Sequence, residues 1–149
     1  MIIRKATNND LTEIKDCAVT AYQIYVERIG RKPAPMIADF QASIDLEQLY
    51  IADWDGKVAG FVVFYAKIDH VHLENIAVNS ALQKKGIGLQ LIQFVEGQTL
   101  ESGFGRVELY THEKMTENLG IYPRLGYREF DRRTEDGFDR VFFEKYLIE

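Results

Sequence analysis

Three groups of residues combine side-chain types and spacings that suit chemistry. The first is Gln83-Lys84-Lys85-Gly86-Ile87-Gly88, a polar loop between an apolar run over 71–78 and a helical pattern that begins near Leu89. The start of a helix leaves about four backbone N–H groups without intrahelical acceptors and carries roughly half a positive charge. Glycines let an anion approach that backbone, and Lys84 and Lys85 add charge beside it, so the loop suits a phosphate-type ligand. The Gly-Lys-Ser/Thr ending of a P-loop is absent, as is the three-glycine dinucleotide fingerprint. A glycine turn with no ligand has the same spelling. The second group is Tyr122, four residues before Gly126 in Tyr122-Pro123-Arg124-Leu125-Gly126. It falls in the last turn of a helix, either as an ordinary aromatic or as a phenol with a proton to give. The third lies in the 71–78 run, where alternation places His72, Glu74 and Ile76 on one face and Val71, Leu73, Asn75 and Ala77 on the other. An imidazole and a carboxylate on one strand face form a proton-accepting pair, unless Glu74 is bound in a salt bridge and His72 lies at a sheet edge.

These groups need a frame. Ile2 and Ile3 open a strand, and Thr7-Asn8-Asn9-Asp10 is a helix-start cluster. Leu11, Ile14, Ala18, Ala21, Tyr22, Tyr25 and Ile29 then follow a helical period that Gly30 ends. Arg31-Lys32-Pro33-Ala34-Pro35 is a stiff connection to a second helix over 36–46. The period then becomes two: strands over 49–54 and 57–68 surround the hairpin pair Asp55-Gly56, and the 71–78 strand follows a turn at Asp69-His70. After the glycine loop come a helix to about Ser102-Gly103, a strand at 107–110, a helix over 116–125, and strands over 127–134 and 138–146. The loop–helix crossover between the 71–78 and 107–110 strands predicts that they run parallel, within a sheet that the hairpins make mixed. The expected fold is α/β with α+β character: one domain over 1–149, with a twisted seven-stranded mixed sheet and about four helices. His112 reads as part of a solvated loop, and His70 as part of a turn.

Taken together, the residues resemble the GNAT superfamily of acetyl-coenzyme A-dependent N-acyltransferases. Its Arg/Gln-x-x-Gly-x-Gly/Ala signature is matched by residues 83–88 after Ala77-Val78, and its later Tyr-x-x-x-Gly-Phe/Tyr element by Tyr122 to Tyr127. The resemblance implies acetyl-CoA as co-substrate, with the pyrophosphate on Gln83, Lys84, Lys85, Gly86, Ile87 and Gly88. It implies a pantetheine arm lying between two splayed parallel strands, against main-chain groups of Ile76 and Val78 around Ala77. The Val78 N–H would then hold the thioester oxygen as it gains charge. Tyr122 would be the general acid and a cofactor contact. Glu74, His72, Glu108 on the adjoining strand, or a water would be the base that frees the amine. Many members place asparagine seven residues before that tyrosine, where this chain has Met115, so Asn118 is the candidate substitute. Dimers are common among the proteins it resembles, and a homodimer is expected on that ground.

Composition narrows the partners. Of 149 residues, 18 are Lys or Arg and 23 Asp or Glu, a net charge of −5, which argues against nucleic acid as the main ligand. No apolar run approaches the ~18–20 residues that span a bilayer. Met1-Ile2-Ile3-Arg4-Lys5 lacks the order of a secretory signal, and Cys17 is the single cysteine, so a reducing cytoplasm is the expected compartment. Three scattered histidines and one cysteine lack metal-site spacing, and no metal is expected. The leading reading is an N-acetyltransferase acting on a primary amine, either a small molecule or a peptide. Its rival is a non-catalytic acyl-CoA binding or sensing module of the same fold, and a third reading is a nucleotide-phosphate protein of another fold.

Overall fold

The computed structural model describes residues 1–147. Its strands are Ile2–Lys5 (β1), Leu49–Trp54 (β2), Lys57–Ala66 (β3), Val71–Val78 (β4), Arg106–His112 (β5), Arg128–Glu135 (β6) and Phe138–Tyr146 (β7). They form one sheet in the order β1-β2-β3-β4-β5-β7-β6. β1 and β2, β2 and β3, β5 and β7, and β6 and β7 pair antiparallel, while β4 and β5 are parallel, so the sheet is mixed as expected. The last strand, β7, inserts beside β5 and leaves β6 at the edge.

Among the described residues the helices are Leu11–Tyr22 (α1), Tyr25–Ile29 (α2), Phe40–Asp45 (α3), Ile87–Glu101 (α4) and Thr116–Arg124 (α5), five where about four are expected. The extra one arises where the 11–29 pattern breaks. There Val26 N–H bonds the Gln23 carbonyl, three residues back, and tightens the turn. The expected 36–46 helix is also divided. Ala34–Ile37 forms a 3₁₀ turn after Pro33, and α3 starts separately where the Asp39 carboxylate caps the Ala42 N–H.

The chain forms two compact units. One comprises Met1–Phe64 with Glu74–Val95, and the other Tyr65–Leu73 with the residues from Glu96 onward. Strand β4 and helix α4 run from one into the other. In the first unit Ile14, Ala18, Phe40, Ile51 and Phe61 are buried, and Phe40 meets Phe61 edge-on at 5.3 Å. On α4, Phe94 meets Tyr50 and Phe64. A methyl group on Gly60 would lie 2.7 Å from the Ala77 carbonyl oxygen, so β3 and β4 approach there as only glycine allows. In the second unit a row of rings crosses five strands: Tyr65, His72, Tyr110, Phe142 and Phe130.

The β3–β4 pair holds one irregularity that bears on function. At the turn Lys67 N–H bonds the His70 carbonyl, and at the far end Asn79 N–H bonds the Ala59 carbonyl. Counted from the turn in an unbroken hairpin, Ala59 would face Val78 instead. β4 therefore carries one extra residue, a bulge. Side-chain directions agree. Phe64 packs on α4 through Phe94, so Tyr65 points the other way, and His72 meets Tyr65. Yet Val78, six residues after His72, points at Gly88 of α4. The alternation that grouped His72 with Ile76 is thus corrected: the bulge puts them on opposite faces.

One ionic contact ties the first strand to the first helix. Both carboxylate oxygens of Asp10 accept from the Arg4 guanidinium, at 2.9 and 3.0 Å, and Thr7 N–H also donates to Asp10. Arg4 holds the Asp10 carboxyl below its ordinary value of 3.8. A depressed carboxylate stabilises the fold above its unfolded pKa, and that contribution is lost as pH falls through the lower folded value. Asp10→Asn is expected to cost about 1–3 kcal/mol at pH 7 in urea unfolding, with the difference from wild type shrinking below about pH 4.

Candidate active site

The glycine loop begins where β4 ends. Asn79 accepts from Ala81 N–H and starts a 3₁₀ turn, Ser80–Leu82. Lys84 and Gly86 then both adopt left-handed backbone, with φ of 67° and 79°. For lysine this is an uncommon conformation that a loop shaped for another purpose can impose. The first bond of α4 is Gln90 N–H to the Gly86 carbonyl, so the Ile87, Gly88 and Leu89 amides have no acceptor within the helix. A Cβ at Gly86 would meet nothing within 4 Å, and one at Gly88 would make only ordinary contact with Val78. Packing does not require small residues there. Bare amides at the head of a 15-residue helix, with Lys84 and Lys85 exposed beside them, fit a diphosphate.

Ile76, Ala77 and Val78 lead into this loop. Ala77 is buried, and Ile76 and Val78 are half-buried. The Ile76 carbonyl accepts from the Tyr22 hydroxyl at 2.6 Å, a contact that no sequence feature pointed to. Asn75 was also missed. It is 4% exposed, accepts from the Tyr22 hydroxyl and donates to the Pro35 carbonyl. The one available signal was an asparagine inside an apolar strand, where that residue is depleted unless something pairs it. Tyr22 and Tyr25 are buried, as their helical spacing predicted.

Among the proposed bases, Glu74 is half-buried on the bulged part of β4. His72 lies at the centre of the sheet rather than at its edge, between the Tyr65 and Tyr110 rings at 5.5 and 5.7 Å. Glu108 stands beside His72 in the β4–β5 ladder, but its carboxylate is 2.8 Å from Arg106 and 3.4 Å from His70.

In the second unit Tyr122 occupies the last turn of α5, buried against the rings of Tyr127 and Phe143. Leu125 and Tyr127 N–H groups both bond its carbonyl, and Gly126 takes φ of 93° to close that turn. The Tyr127 hydroxyl donates to Glu96, whose carboxylate also receives Lys145. Burial, and then the Glu96 charge, push the Tyr127 phenol far above its ordinary value. Asn118 turns its amide donor toward Thr111 Oγ1, 3.1 Å away, and toward Met115 Sδ. Its carbonyl oxygen is the atom left for a cofactor contact.

Cys17 is buried and its thiol is pushed up to about 12 by desolvation, in keeping with a core role. Among the described residues no group of three or more His, Cys, Asp or Glu is placed to hold a metal ion, and no helix is long and apolar enough to cross a membrane. His112 corrects an expectation: it is the buried last residue of β5, not part of a solvated loop. Its Nδ1 accepts from Lys114 N–H and its ring meets Phe138 edge-on. Accepting at Nδ1 places the proton of the neutral ring on Nε2. Burial lowers its pKa below the ordinary 6.5. The unfolded chain thus binds a proton the native ring refuses, and stability declines as pH falls below about 6.5. NMR titration should find this imidazole as the Nε2–H tautomer, with a midpoint below 6.5.

Comparison with known proteins agrees with this frame. An uncharacterized N-acetyltransferase of Methanocaldococcus jannaschii is 25% identical over 97% of this chain and 91% of its own. The [ribosomal protein bS18]-alanine N-acetyltransferase of Escherichia coli strain K12 is 27% identical over 50% of this chain and 51% of its own, and an uncharacterized N-acetyltransferase of Bacillus subtilis is 32% identical over 50% of each. The chain thus spans about half the length of several curated relatives it matches. In fold it matches the PaiA N-acetyltransferase of Thermoplasma acidophilum, solved with coenzyme A, with a TM-score of 0.77 over 97% of this chain and 98% of that one, at 17% identity. The Escherichia coli ribosomal-protein-S18-alanine N-acetyltransferase gives 0.76 over 99% and 94%, at 19% identity. The model of the acetyltransferase (GNAT) family matches residues 11–127, and the chain belongs to that family.

Proposed function

We propose that this chain is an N-acetyltransferase that moves the acetyl group of acetyl-CoA to a primary amine by direct attack, without an acyl-enzyme. The observation that carries the reading is the loop of residues 83–88, whose left-handed Lys84 and Gly86 turn the chain so that the first amides of α4 stand bare. Those amides and the two lysines hold the diphosphate. Bound acetyl-CoA supplies the activated acyl group. The edge of β4 at Ile76 and Val78 receives the pantetheine arm, and the Val78 N–H donates to the thioester oxygen as charge develops there.

An amine with a pKa near 10.4 is protonated at neutral pH, and freeing its lone pair costs about 4–5 kcal/mol at pH 7. Glu74, two residues before Ile76 on β4, is the base we favour over His72 and Glu108, acting directly or through a water. The amine nitrogen then bonds the acyl carbon, the C–S bond breaks, the departing sulfur takes a proton from Tyr122, and the second proton of the amine nitrogen returns through solvent to restore the phenol. Tyr127 is not that donor, since its hydroxyl is committed to Glu96.

Release of coenzyme A over a panel of amines tests the reading. A peptide with an N-terminal alanine belongs in the panel, given the bS18-alanine activity named for a relative. Tyr122→Phe retains the ring contacts with Tyr127 and Phe143 and removes only the proton donor. It is expected to lower kcat about 10²–10⁴-fold with KM for acetyl-CoA little changed. Wild-type turnover by that variant at every pH would remove Tyr122 as the acid. Tight binding of acetyl-CoA without release on any amine would favour a binding module instead.

A further inference from the structure

The buried polar contacts around Asn75 have no part in the chemistry above. An amide in a strand core loses its water and must recover every hydrogen bond it gave up. Asn75 pairs both of its polar atoms, with two segments distant in sequence. Its Oδ1 accepts from the Tyr22 hydroxyl at the end of α1 (2.8 Å), and its Nδ2 donates to the Pro35 carbonyl (3.0 Å). The same Tyr22 hydroxyl lies 2.6 Å from the Ile76 carbonyl oxygen. A phenol has one proton, so two acceptors share it. All these groups lie within the first unit. The clasp therefore fastens the main chain at Ile76 to α1, and through Asn75 to a connection that Pro33 and Pro35 already stiffen.

We propose that Tyr22 and Asn75 are positioning residues that hold the Ile76 carbonyl in place for the pantetheine arm; this rests on the acetyl-CoA reading above. A carbonyl oxygen has two lone pairs, so Ile76 can accept from the arm while Tyr22 holds it from within. The bulge makes this possible, because β4 is no longer a regular strand where Asn75 turns toward α1.

Calorimetric titration of the whole chain with acetyl-CoA tests the inference, using wild type, Tyr22→Phe, Asn75→Ala and the double variant, with Tm recorded for each. Tyr22→Phe deletes one oxygen and retains the ring. It is expected to weaken acetyl-CoA binding about three- to tenfold, the worth of one net hydrogen bond. The double variant should bind no more weakly than the weaker single one, because both residues act through one contact. A merely structural role would lower Tm and leave Kd at the wild-type value, and that result overturns the proposal. Should Asn75→Ala not fold, Tyr22→Phe alone decides. Failure of wild type to bind acetyl-CoA would instead overturn the donor reading, a result distinct from equal binding by wild type and variants.

Discussion

A strand that leaves its neighbour must still find partners for its backbone, and β4 is organised by that constraint. Its ladder with β5 joins Val71, His72 and Leu73 to Val107, Glu108 and Leu109, while β4 itself runs on to Val78. Buried N–H and C=O groups without partners are costly, so a strand drawn away from a sheet needs another source of bonds. At Ile76 that source is the Tyr22 hydroxyl. The bulge, Gly60 against Ala77 and the buried Asn75 all serve the same stretch of chain. That stretch ends at the loop where α4 begins, so the strand edge and the first amides of α4 are parts of one continuous segment.

The two tyrosines around Gly126 show how environment sets identical side chains apart. Tyr127 is buried with its hydroxyl on Glu96, and that carboxylate is balanced by Lys145, which passes over the Tyr127 ring. A Cβ on Gly126 would lie 3.1 Å from Lys145 Cε, so glycine there both closes the helix and leaves room for the lysine. Tyr127 is thereby locked in its neutral form. It also bonds the Tyr122 carbonyl through its own N–H and packs on the Tyr122 ring. The residue that follows the glycine thus steadies the one that precedes it.

Much of the frame was legible in the amino-acid order. The seven strands, the Asp55-Gly56 hairpin, the parallel relation of β4 and β5, and the loop before α4 follow from period, turn chemistry and crossover length. These are local signals, set by the geometry of a few adjacent residues. The helix count was less legible. Apolar spacing continues through Gln23 and Ile24 although the helix tightens there, and a 3₁₀ turn has no period long enough to announce itself. His112 read as loop because a single polar residue at a strand end is spelled like a turn, and only the Phe138 ring and the Lys114 amide reveal its burial.

What the sequence determined by itself was the order of elements and the placing of glycines, lysines and a tyrosine where a phosphate and a leaving group would need them. Tertiary structure alone decided how side chains distant in the chain divide the work. Asn75 meets residues 53 and 40 positions away, and Tyr127 meets one 31 positions away. One residue added to a strand reverses the face of every side chain beyond it, with no change in composition to mark the event. The separation of His72 from Ile76, and the pairing of Glu108 with Arg106, depend on such register and cross-strand contacts, which exist only once the sheet has formed.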